Sequence, residues 1–182
     1  MVAAIEPPQA SPNGASEGTE AVAVETETLE RRRRCITART PIEAAPEAIW
    51  AVLTDYEALA EFIPNLSASN RLERPDGGIR LEQIGAQRAL GLDIRARVVL
   101  DLEEDFPDQI RFALVEGDFQ EFSGAWQLHP LAADPPQTEL AYTVTVRPKR
   151  TLPVAAIARR LRQDLAANLE AVRQRVAERA AT

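Results

Sequence analysis

Two hydrophobic periods divide the chain. From Leu66 to Arg147 apolar and polar residues alternate, the period of strands with one dry and one wet face. The longest example is Leu92–Glu103, where Ile94, Ala96, Val98, Leu100 and Leu102 share one face. Arg95, Arg97, Asp101 and Glu103 mostly take the other. The same alternation predicts strands over Ser67–Arg74, Ile79–Ala86, Gln109–Val115, Phe119–His129 and Thr138–Arg147, with a first strand over Arg33–Pro41. Asp76-Gly77-Gly78 is a hairpin signal, and further turns are expected near Ala89–Gly91, at Phe106-Pro107-Asp108 and at Gly117-Asp118.

The second period is helical. Pro46 and Glu47 suit the first turn of a helix carrying Ile49, Trp50 and Leu53 on one face. Asp55 is placed to cap a second short helix, Tyr56–Phe62, which Pro64 stops. After Pro153, Val154, Ile157, Leu161, Leu165, Leu169, Val172 and Val176 recur every three or four residues to Arg179. Such a helix is roughly 40 Å long at 1.5 Å per residue. It is the only element large enough to cover the dry face of the sheet. A twisted sheet curling around a straight helix meets it imperfectly, and the gap is a natural cavity.

Composition and charge narrow the function. The 182 residues are 45% hydrophobic and 27% charged, enough for one domain with a core. One Cys (Cys35) and one His (His129) exclude an intrachain disulfide framework and a Cys/His zinc site. Residues 1–30 hold six Glu and no Lys or Arg, lack aromatics, and are expected to form a disordered acidic tail; residues 31–182 form the domain. The net charge of −7 comes mostly from that tail, so the domain is near neutral and lacks the basic excess of a nucleic-acid binder. The tail has neither the apolar run of a secretory signal nor the basic character of a transit peptide, so a cytoplasmic setting is expected. Arg31–Arg34 and the basic stretch from Arg147 onward are read as solvated charge, with peripheral contact to an anionic membrane as the alternative.

Two stretches resemble a known family. Pro46-Glu47-Ala48-Ile49-Trp50, followed by Thr54-Asp55-Tyr56 and Phe62-Ile63-Pro64, is similar to the N-terminal pattern of the START / polyketide cyclase superfamily. Phe122-Ser123-Gly124-Ala125-Trp126-Gln127-Leu128 resembles its Phe-x-Gly-x-Trp-x-Leu strand, most closely in the bacterial branch related to coenzyme-Q-binding START proteins. The resemblance spans about Cys35–Arg179. It implies an α+β helix-grip fold: a curved antiparallel sheet of about six to seven strands around a long C-terminal helix, with two short helices after the first strand. It also implies a cavity that holds a lipid, quinone or polyketide-like molecule.

Strand parity nominates the cavity wall. Val98, Phe112, Leu114, Trp126, Tyr142 and Val144 belong to the dry face, Leu161 and Leu165 to the covering helix, and Phe62 to the mouth. Tyr142 supplies a polar handle in an apolar surrounding; Trp126 is equally an ordinary core ring. Gly124 is expected to leave the wet face bare and allow a bend there. No catalytic residue, metal or cofactor is indicated: His129, Glu82 and Glu121 fall on the wet face, Ser123 lacks a nucleophile elbow, and Glu57 and Glu61 read as solvated. Three functions remain open: binding or transport of a hydrophobic small molecule, a cyclase or dehydratase that would need an acid–base pair beside Tyr142, and an interaction module with a filled cavity.

Overall fold

The computed structural model describes residues 21–89 and 92–182. The sheet has eight antiparallel strands: β1 (Ala23–Thr28), β2 (Arg34–Ile42), β3 (Leu66–Leu72), β4 (Ile79–Ala89), β5 (Leu92–Asp105), β6 (Gln109–Gly117), β7 (Phe119–Leu131) and β8 (Gln137–Pro148). Their spatial order is β1-β2-β8-β7-β6-β5-β4-β3, so β3 to β8 form a meander that closes back onto β2. Two short helices, α1 (Pro46–Leu53) and α2 (Leu59–Phe62), carry the chain from β2 to the far edge. The last helix, α3, spans Val154–Ala180. This is the α+β helix-grip architecture. The expected turn near Ala89–Gly91 falls partly outside the described residues; Ala89 and Leu92 pair on either side of it.

The eighth strand corrects the expected boundary of the acidic tail. Residues 23–28 fall within the expected tail, yet they pair along β2 from Ala23 opposite Arg39 to Thr28 opposite Arg34. Val22 and Val24 pack against the core. The rest of the predicted tail, residues 1–20, lies outside the described residues. Arg31 and Arg32, at φ 55° and 64°, form the two-residue turn between β1 and β2. Positive φ at both central positions matches the right-handed twist of a hairpin but is unfavourable for non-glycine residues. The Arg32 guanidinium donates to the carbonyls of Arg150 (3.2 Å) and Leu152 (2.7 Å), which helps hold that turn.

Alternation is kept along the inner face. Leu81, Val98, Leu100, Leu102, Ile110, Phe112, Leu128, Leu140, Val144 and Val146 are buried, whereas His129 is exposed. A bulge places Val99 opposite Glu116 and Leu100 opposite Leu114, so Val115 is the unmatched residue and turns outward, 49% exposed. The outer face is laced with ion pairs, including Glu82–Arg97 (2.6 Å), Arg80–Asp101 (2.6 Å) and Arg33–Glu121 (2.8 Å). Gly124 corrects another expectation. It lies on the inner face, paired with Phe112, and a Cβ there would meet Phe112 Cζ at 2.7 Å and run into the Thr143 carbonyl. Its bare backbone makes room for the Phe112 ring.

Leu165, Leu169, Val172 and Val176 of α3 are buried, and the helix rests mainly on β2, β1, β8 and α1. It therefore grips one half of the sheet, and the β4–β5 side curls up beyond it. At its C-terminal end, Arg175 binds Glu61 (2.9 Å) and lies 5.3 Å over the Phe62 ring, while Arg179 binds Asp55 (2.5 Å). Asp55 thus engages α3 rather than capping a helix from Tyr56, and α2 begins only at Leu59. Among the described residues no helix is long and apolar enough to cross a membrane.

Candidate functional site

A cavity of about 310 Å³ opens where α3 and the curled half of the sheet part. Its sheet wall is aromatic on one side, with Phe119, Phe122, Trp126 and Tyr142 from β7 and β8. Gln83, Gly85, Ala96 and Val98 from β4 and β5 form the other side. Its helical wall is Ile157, Leu161 and Leu165, beside Arg160, Asp164 and Asn168. Leu59, Ile63, Pro64, Asn65 and Leu66 rim the mouth. Asn65 turns the chain from α2 into β3 at φ 61°, a conformation Asn tolerates better than most residues. Its carbonyl accepts from Ala86 N–H (2.8 Å) and its amide donates to Asp164 Oδ1 (3.4 Å), joining the mouth to both β4 and α3.

Five predicted residues, Val98, Trp126, Tyr142, Leu161 and Leu165, line this cavity. Trp126 and Tyr142 face each other across β7 and β8. The other four do not line it. Phe112 lies behind Tyr142 (6.1 Å between centroids) and Phe122 (5.8 Å), over Gly124. Val144 is fully buried opposite Ile36, Leu114 packs half-buried beside Gly117, and Phe62 sits under Arg175. For the strand residues Phe112, Leu114 and Val144, alternation gives the inner face but not the depth: Phe112 and Val144 are buried in the sheet–helix core and Leu114 packs half-buried against it, while Phe62, expected at the mouth, lies partly buried at the end of α2.

Sequence reasoning missed the polar side of the cavity. Arg160, Asp164 and Asn168 recur at four-residue spacing, each one position before the apolar Leu161, Leu165 and Leu169. Arg160 holds Asp164 through Nε–Oδ2 (2.9 Å) and Nη2–Oδ1 (2.7 Å). Burial raises the Asp164 carboxyl above the ordinary range, against the opposing pull of Arg160 and Asn65. Burial, and then the Asp164 charge, also raises the Tyr142 phenol, so Tyr142 is a neutral donor throughout the physiological range. The site is thus an apolar slot with a phenol, a paired carboxyl and an amide at one end. Among the described residues no His/Cys/Asp/Glu cluster could hold a metal. His129, Glu82, Glu121 and Ser123 belong to the outer row of their strands, and Glu57 is exposed.

No curated protein matches the chain by sequence. Many solved structures share its fold. A START superfamily protein from Mycobacterium smegmatis is 21% identical at a TM-score of 0.66, covering 79% of this chain and 97% of its own. A STAR-related lipid transfer protein from Xanthomonas axonopodis is 17% identical at a TM-score of 0.66, covering 88% and 96%. The Zhui aromatase/cyclase from Streptomyces is 18% identical at a TM-score of 0.65, covering 81% and 96%. The family model described as polyketide cyclase / dehydrase and lipid transport matches residues 42–173, from the end of β2 to the last third of α3, and the chain belongs to that family.

Proposed function

We propose that this protein binds a hydrophobic small molecule between sheet and α3 and sequesters or carries it. The observation that carries the reading is the cavity itself, about 310 Å³ and walled mainly by apolar side chains within a domain that otherwise has a well-packed core. Each Å² of apolar ligand surface moved out of water stabilises the complex by about 25 cal/mol, before the cost of immobilising the ligand. Lipid-like, quinone and polyketide-like molecules all fit this description. The test is uptake of the fluorophore N-phenyl-1-naphthylamine, paired with native mass spectrometry of gently purified protein. Saturable uptake and a co-purified hydrophobic mass support the reading; absence of both overturns it.

A second reading, a cyclase- or dehydratase-type enzyme, is favoured by one observation: Asp164 shares the cavity with Tyr142, and its charge acts on the phenol. A proton donor and a tunable carboxyl in a dry cavity are the groups acid–base chemistry needs. Conversion of a bound polyketide-like substrate, lost in Tyr142→Phe, would separate catalysis from carriage. The interaction-module reading requires a filled cavity and ranks third. A cytoplasmic protein that touches anionic membranes is part of the first proposal. Its support is the docking of the Arg31-Arg32 turn onto the Arg150–Leu152 loop, which joins two basic stretches 118 residues apart at the start of α3. Co-sedimentation with phosphatidylserine vesicles, weakened by salt, tests it.

A further inference from the structure

Charge is divided between the two ends of the sheet. The meander sends the β1–β2, β6–β7 and β8–α3 connections to one end and the β2–α1, β3–β4, β5–β6 and β7–β8 connections to the other. The first end is basic: these connections hold Arg31, Arg32, Arg33, Lys149 and Arg150 against Glu30 and Asp118. The second is acidic. Glu43, Glu47, Asp55 and Glu57 lie between β2 and α2, Asp76, Asp108 and Asp134 occupy the hairpin turns, and Arg74 is the one cation among them. Arg175 and Arg179 of α3 reach that end but bind Glu61 and Asp55. A domain that is near neutral as a whole is therefore polar from end to end.

The basic end is built as one surface. Arg31 and Arg32 hold left-handed positions that glycine or asparagine would fill at lower cost, and Arg32 ties their turn to the Arg150 and Leu152 carbonyls. Arg33 and Lys149 are offset by Glu121 and Asp118. Arg31, Arg32 and Arg150 are exposed and, among the described residues, have no carboxylate partner. The cavity reaches the same end. Phe119, the first residue of β7, and Ile157, in the first turn of α3, line it, and Phe119 pairs with Pro148 beside Lys149. We infer that this end docks on an anionic lipid bilayer, with the Phe119–Ile157 side of the cavity facing the membrane and the acidic end facing water. The inference rests on the membrane contact proposed above and gives it an orientation. Opposite charge at the two ends turns the approaching molecule the right way round. Arg31, Arg32 and Arg150 then meet lipid phosphate and carboxylate groups. The half-buried Phe119, Leu152 and Ile157 come to the interface beside them, so a ligand passes between bilayer and cavity without crossing bulk water.

The experiment is co-sedimentation of the full-length protein with mixed phosphatidylcholine–phosphatidylserine vesicles (about 7:3) and with pure phosphatidylcholine vesicles. Arg31→Glu/Arg150→Glu should weaken binding to the mixed vesicles by about tenfold or more. Arg39→Glu/Arg111→Glu makes the same charge change on exposed residues of the outer face and should weaken it far less. Thermal melts report whether each variant is folded. A second measurement leaves the charges in place. An environment-sensitive fluorophore on Thr151→Cys, in a Cys35→Ser background, should shift to the blue when mixed vesicles are added. The same fluorophore on Ala133→Cys, at the acidic end, should not. Equal losses in the two charge variants, or a shift at position 133 in place of 151, overturns the orientation and leaves membrane contact standing. Equal binding to the two kinds of vesicle overturns the role of charge and the inference with it. No binding of the wild type to either kind overturns both the orientation and the contact, while fluorophore uptake in solution still decides whether the cavity binds a ligand.

Discussion

Trp126 and Tyr142 stack across β7 and β8 with ring centroids 3.7 Å apart and planes within 2°. The stack places the indole against the ring whose hydroxyl faces the polar end of the cavity, so the position of that hydroxyl depends on a neighbouring strand. Trp126 is only half-buried because one flank borders the cavity. Trp126→Ala should therefore cost about 3 kcal/mol, the lower end for removing a large ring. Chemical denaturation checks the value, and an unchanged midpoint would contradict the stack.

Leu161 is the better position for blocking the cavity. Leu165 also lines it but is fully packed into the core, so a larger residue there strains the fold. Leu161→Trp adds its ring to a half-open wall. It should abolish fluorophore uptake while the melting temperature stays within a few degrees. Retained uptake would place the ligand elsewhere.

Gly124→Ala tests the inner-face placement of Gly124. The added methyl meets the Phe112 ring and the Thr143 carbonyl, and the backbone cannot retreat without breaking the β7–β8 ladder. Destabilisation of about 1–3 kcal/mol is expected from overpacking. A neutral effect in urea unfolding would mean that this face is open.

Asp164 should leave a pH signature on stability. Its carboxyl is raised in the folded protein, so the native state favours the protonated form. The stabilisation is present below the ordinary carboxylate value and is lost as pH climbs through the raised one. Asp164→Asn removes this dependence. The variant's melting temperature relative to wild type should therefore rise between pH 4 and pH 7; a flat or falling difference contradicts the shift.

Removing residues 1–30 deletes β1 and the packing of Val22 and Val24. A loss of about 1–2 kcal/mol follows from their partial burial, or about 3–6 °C in melting temperature for a domain of this size. A deletion that stops before Val22 keeps the strand, so the difference between the two truncations isolates it. Equal melting temperatures would show that β1 adds no stability.

What the chain alone determined is what local periodicity encodes. Alternation in Leu140, Val144 and Val146 reports a strand face without reference to any neighbour. The three-and-four spacing from Leu165 to Val176 likewise reports the buried stripe of α3. Tertiary structure decided where the two surfaces fail to meet. Val144 and Tyr142 share a face, yet Val144 is fully buried and Tyr142 lines the gap, because α3 rests mainly on β2, β1 and β8 and parts from the curled side at the cavity. The same geometry turns Arg160, Asp164 and Asn168, which read as an ordinary solvated flank, into the polar end of a cavity. It also recruits Ala23–Thr28, whose acidic composition masks a strand that needs β2 beside it. A residue's face is a property of its own segment, but its depth depends on what packs opposite, and that was set by distant parts of the chain.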